Sequence, residues 1–64
     1  MRIDRVKFVS ELVKQDITQK ELAEKSGVSR ATINYIRCGK SCRDDIGHKI
    51  AKALNVKVQD LLED

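Results

Sequence analysis

The chain has 64 residues, a net charge of +3, 41% apolar and 3% aromatic residues, and neither proline nor tryptophan. That length allows one domain, residues 1–64, near the lower limit for folding without metal or disulfide support. With a single Phe and a single Tyr its core must be aliphatic. No apolar run approaches the roughly 18 residues of a membrane span and no signal peptide is visible, so a soluble, cytoplasmic protein without membrane association is expected.

Taken in order, residues 3–15 read as a first helix, with Val6, Phe8, Val9, Leu12 and Val13 in one broad arc at the helical period. Asp16 stands where that helix must end, because aspartate tolerates the left-handed turn better than most residues. Ile17 then precedes Thr18 as a hydrophobic staple. Thr18 and Glu21 have the spacing of a capping box: the hydroxyl takes an orphan helix N–H, and the carboxylate reaches back. Leu22 and Ala23 supply a narrow apolar strip, and Gly27 stops this second helix. Ser29 caps a third helix at once, over about 29–37, with Ile33 and Ile36 on its apolar face. Two short helices joined by a tight glycine turn describe a helix-turn-helix. The third helix turns Arg30, Ala31, Asn34, Tyr35 and Arg37 away from its apolar side, and these are side chains suited to reading a DNA groove.

After Gly39, a fourth helix is expected from about Arg43 to Leu54, with Ile46, Ile50, Ala53 and Leu54 on one face. Gly47 inside it costs about 1 kcal/mol relative to alanine, which suggests a close helix crossing there. Asn55 serves as the exit residue. Val56, Val58, Leu61 and Leu62 then suggest a last short helix that closes the core or forms an association surface.

The charge is unevenly distributed. Between Glu24 and Asp44 there is no acidic residue, while Lys25, Arg30, Arg37, Lys40 and Arg43 fall inside that interval. A basic segment centred on the third helix is what a phosphate backbone selects. A merely solvated basic face is the plain alternative for such a run.

Other groupings carry less. Cys38, Cys42 and His48 offer three ligands and no second pair, so neither metal nor other cofactor is expected. A Cys38–Cys42 disulfide does not suit a reducing cytoplasm. Gly39-Lys40-Ser41 resembles the tail of a phosphate-binding loop, but the required earlier glycine would fall at Asn34 inside a helix. No nucleophile, base and orienter converge, so no catalytic residue and no enzymatic activity is expected.

The whole chain resembles the Cro/repressor-type (XRE-like, lambda-repressor-like) helix-turn-helix family. The resemblance rests on I-T-Q-K-E-L-A (17–23), K-S-G-V-S-R-A-T-I (25–33), G-K (39–40) and I-A-K-A-L-N-V-K-V-Q-D-L-L (50–62). It implies an all-α, compact bundle of five helices, with helices 2 and 3 forming the motif. It also implies a sequence-specific DNA-binding transcriptional regulator, a repressor of the phage, mobile-element or plasmid type, usually a homodimer on operator-like double-stranded DNA. Carried over residue by residue, Gln19 matches the glutamine that anchors on a phosphate, with Thr18 beside it. Ser29, Arg30, Ala31, Thr32 and Tyr35 match the front of the recognition helix, where the family divides its contacts between base edges and flanking phosphates. Arg30 suits a guanine edge, the Ala31 methyl a thymine methyl and the Asn34 amide an adenine. Lys40 matches a backbone-closing basic residue, joined by Arg43.

Several roles stay open on sequence alone. Asn34 fits a base, a phosphate or solvent equally, and Tyr35 fits either groove reading or partial packing. The family often has a carboxylate at the Arg37 position, paired with a basic residue on the first helix. Here Arg37 faces Leu12 and adds to the basic, phosphate-binding surface instead. The loop after Gly39 often carries proline, where this chain has Cys42. A protein-interaction module that keeps the bundle but binds a protein partner is the rival reading, and an acidic or apolar recognition face would be its mark.

Overall fold

The computed structural model describes residues 1–63. Its elements are α1 (Arg5–Gln15), α2 (Gln19–Ser26), α3 (Arg30–Arg37), α4 (Asp44–Ala53) and a single 3-10 turn, η1 (Val58–Asp60). The architecture is all-α among the described residues, with four α-helices rather than the expected five. The C-terminal segment makes only that turn. Val58 and Leu61 are three residues apart, the repeat that a 3-10 turn brings onto one side. Leu61 is fully buried, and Leu62 pairs with Ile3 in an isolated antiparallel bridge. Of the two roles open to this segment, closing the core is the one observed.

Local chemistry sets most boundaries. α1 begins at Arg5 rather than at Ile3, and Asp4 caps it: its Oδ1 accepts from the N–H groups of Val6 and Lys7 at 2.8 and 3.1 Å. Asp16 ends α1 in the left-handed conformation at φ 54°, and Asn55 takes φ 57° after α4. The capping box closes in both directions, with Thr18 N–H donating to Glu21 Oε1 at 3.0 Å and Glu21 N–H to Thr18 Oγ1 at 3.1 Å. Gly27 follows α2 at φ 73°, a conformation that disfavours a Cβ, and so lets α3 begin three residues later.

The core joins Phe8 and Leu12 of α1, Leu22 of α2, Val28, Ile33 and Ile36 of the α3 region, and Ile50, Ala51 and Leu54 of α4 with Ile3 and Leu61. The broad apolar arc expected for α1 is narrower in fact. Val6 and Val13 are 68% and 74% exposed, outside the narrower strip that buries Phe8 and Leu12. Gly47 is buried, but its neighbour is not a crossing helix: a Cβ there would overlap Met1 Sδ. The N-terminal segment is held firmly. The Met1 ammonium donates to the Cys42 carbonyl at 2.8 Å, and Cys42 N–H donates back to the Met1 carbonyl at 2.9 Å. Asp4 N–H meets the Leu61 carbonyl at 2.7 Å, tying the same segment to the chain's end. No helix among the described residues is long and apolar enough to cross a membrane.

Candidate nucleic-acid interface

The third helix is short, and its two buried residues fix its orientation. Ile33 and Ile36 are fully buried, so the opposite side must face outward. At about 100° per residue, Ala31, Asn34 and Tyr35 lie on that outward strip, and all three are exposed. Tyr35 is 55% exposed, which settles its location outside the core. Cys38, four residues after Asn34, continues the strip and is also exposed. Sequence alone gives it no place in the interface, because it reads as the loop residue that follows the helix.

The remaining helix residues divide between the strip's edges. Ser29 is the N-cap of α3. Its hydroxyl accepts from Thr32 N–H at 3.2 Å and donates to Thr32 Oγ1 at 2.9 Å. Its one hydroxyl proton is thus used inside the helix start, whereas Thr32 keeps a hydroxyl proton to donate. Thr32 and Tyr35 border a shallow groove completed by Ile36, Ser41, Cys42 and Arg43. Arg30 and Arg37 lie on the other edge. They line a second groove together with Leu12 and Val13 of α1 and Thr18, Gln19 and Lys20 at the head of α2. Lys20 is a further cation at this site, and the sequence offers no signal for it beyond its place beside Gln19.

Gln19 is half-buried, and its Nε2 is a buried donor with no acceptor among the described residues. An unmet buried donor carries a desolvation cost of about 1–3 kcal/mol. It sits at the N-terminus of α2, where backbone N–H groups and the helix dipole favour an anion. Thr18 already spends its hydroxyl oxygen on Glu21 N–H, but the hydroxyl proton remains for an acceptor.

Beyond α3, Lys40 Nζ stands 5.4 Å from the centroid of the Tyr35 ring. Arg43 is exposed at the N-cap position of α4, and its Nε pairs with Asp45 Oδ1 at 3.2 Å. Exposed pairs of this kind contribute little, so Arg43 can exchange Asp45 for another anion at small cost. The loop between α3 and α4 is supported from below: Arg2 Nη2 donates to the Gly39 carbonyl at 3.0 Å. Burial pushes the Cys42 thiol above its ordinary pKa, so this side chain is a neutral, half-buried packing group at neutral pH.

The structure therefore places Ala31, Asn34 and Tyr35 on the outward strip of α3, with Arg30 and Arg37 on the edge towards Thr18 and Gln19 and Thr32 on the edge towards Arg43. An exposed polar strip bordered by cations has the form needed to enter a groove and grip its two phosphate rims. The chain is 43% identical over 51 residues to an uncharacterised HTH-type transcriptional regulator of Archaeoglobus fulgidus, an alignment covering 75% of this chain and 70% of that protein. No solved structure matches it. The Cro/C1-type HTH DNA-binding domain matches residues 10–64. That span takes in the capping box, the Gly27 turn and the whole of α3, and the chain belongs to the Cro/C1-type helix-turn-helix DNA-binding family.

Proposed function

We propose that this protein is a sequence-specific transcriptional regulator, a small repressor of the phage, mobile-element or plasmid type, acting in the cytoplasm on operator-like duplex DNA. The observation that carries this reading is the exposed strip Ala31–Asn34–Tyr35 on the face of α3 opposite Ile33 and Ile36. α3 enters the major groove, where the Asn34 amide pairs with an adenine edge and the Ala31 methyl lies against a thymine methyl. Tyr35 and Thr32 cover the neighbouring bases. Ser29 serves mainly to start the helix, since its one hydroxyl proton is already given to Thr32.

Thr18, Gln19, Lys40 and Arg43 anchor on phosphates and set the register of α3. The Gln19 Nε2 donor has no partner among the described residues, and turning the side chain outward would bring it to a phosphate oxygen. Two copies bind as a homodimer on a two-fold site, each reading one half, with the half-sites about one helical turn apart. Leu61 is buried within its own chain, so it is not the contact between copies.

Selection from randomised duplex DNA tests this reading. A palindromic consensus with half-sites about 10 base pairs apart is expected. Recovery of no consensus from the bound pool would overturn sequence-specific regulation.

A further inference from the structure

We propose that Arg30 and Arg37 act as a pair that holds two consecutive phosphates of one DNA strand along the groove between α1 and α3. Arg30 then serves the backbone rather than a guanine edge. The proposal rests on the DNA-binding reading above and adds a grip on the flank of α3.

Seven residues separate the two arginines in α3. That spacing brings their side chains to within about 20° of rotation and about 10 Å along the axis. Both line the α1–α3 groove, whereas Ala31, Asn34 and Tyr35 do not. Arg30 is thus grouped with Arg37 and the head of α2, apart from the outward strip that faces the bases.

Helix stability accounts for Arg37, a cation in the last turn of α3, but not for Arg30. Arg30 is the first residue of α3, and the first turn holds no acidic residue. A cation there opposes the helix dipole. Neither arginine has an ion-pair partner among the described residues. Asp16 lines the same groove, but it pairs with neither. At about 10 Å apart along the axis and exposed, the two charges hardly repel each other in salt, so both stay charged and open to anions.

The groove itself suits such anions. Leu12 and Val13 line it beside the two arginines, giving the aliphatic stems of those side chains an apolar surface to lie against. The planar guanidinium fork matches phosphate oxygens, and two forks spaced along the helix suit a strand better than one isolated anion.

The test compares the full chain with Arg30→Gln, Arg37→Gln and the double variant, each titrated with a selected duplex and with a shuffled duplex over a range of salt. Both residues are exposed, so the variants should keep the wild-type helical content and unfolding midpoint, or a slightly higher midpoint for Arg30→Gln. Each single variant should weaken binding about fivefold at about 0.15 M salt, alike on both duplexes, and flatten the log–log salt slope by about 0.9. The double variant should lose about 25-fold and flatten the slope by about 1.8.

A loss for Arg30→Gln confined to the selected duplex, with relaxed preference at one base pair, would overturn the pairing and make Arg30 a base reader. Unchanged slopes in both variants, with wild-type binding intact, would overturn the arginine pair alone. Failure of the wild-type chain to bind either duplex would overturn the DNA-binding reading together with it.

Discussion

Lys40 Nζ lies 5.4 Å from the centroid of the Tyr35 ring, so a residue of the outward strip and a residue of the following loop are held in register by a cation–π contact. The ring is more than half exposed, and such contacts contribute about 0.5–1 kcal/mol at exposed sites. A double-mutant cycle with Tyr35→Ala and Lys40→Ala should give a coupling free energy in that range by urea denaturation. On DNA the two should differ: Lys40→Ala should weaken selected and shuffled duplexes alike, while Tyr35→Ala should penalise the selected duplex more. Equal penalties for Tyr35→Ala on both duplexes would place Tyr35 outside base reading.

The capping box offers a second test. Thr18 and Glu21 satisfy each other's backbone N–H groups at 3.1 and 3.0 Å. Thr18→Ala should cost about 1 kcal/mol of stability, measured by urea denaturation. It should also weaken binding to every duplex, because α2 would present its first turn less firmly to the backbone.

Phe8 is fully buried and is the one phenylalanine in the chain. Phe→Ala in a core costs about 3–5 kcal/mol, and a domain of this size has roughly that much stability in all. Phe8→Ala should therefore be largely unfolded at room temperature, as read by loss of the helical circular dichroism signal. Retention of a cooperative thermal transition near the wild-type midpoint would contradict the central place given to this ring.

The two thiols should react at different rates. Burial raises the Cys42 pKa, so less of it is thiolate at a given pH, and the thiolate is the reactive form. Cys38 is exposed, and Cys42 only partly so. Iodoacetamide near pH 8 should label Cys38 first, and Cys42 labelling should accelerate further as the pH rises. Peptide mass mapping against time checks this, and faster labelling of Cys42 would contradict the placement of the loop.

Local features were the most legible in the sequence. Thr18 with Glu21, Gly27, Ser29 and Asn55 act through neighbours a few residues away, and each sits where its chemistry predicts. Ile33 and Ile36 were also readable, because they leave only one way to turn α3. Features that depend on distant partners were not. Gly47 is small because of Met1, 46 positions away in the chain, and no local pattern records that. Val6 and Val13 counted toward an apolar arc because periodicity measures hydrophobicity and not the width of the contact, and both face outward. The last helix failed for a similar reason. Val58 and Leu61 are spaced for burial, but a single 3-10 turn achieves it. Within the interface, residue types on α3 were evident, whereas the separation of Arg30 and Arg37 from the outward strip required the neighbouring helices α1 and α2.

The most direct measurement is an equilibrium titration of the wild-type chain against a selected duplex and its shuffled counterpart at about 0.15 M salt, by fluorescence anisotropy. Groove reading by α3 predicts that the selected duplex binds at least about 10³-fold more tightly than the shuffled one. Equal affinity for the two, or no binding to either below about 100 μM even at low salt, would contradict it.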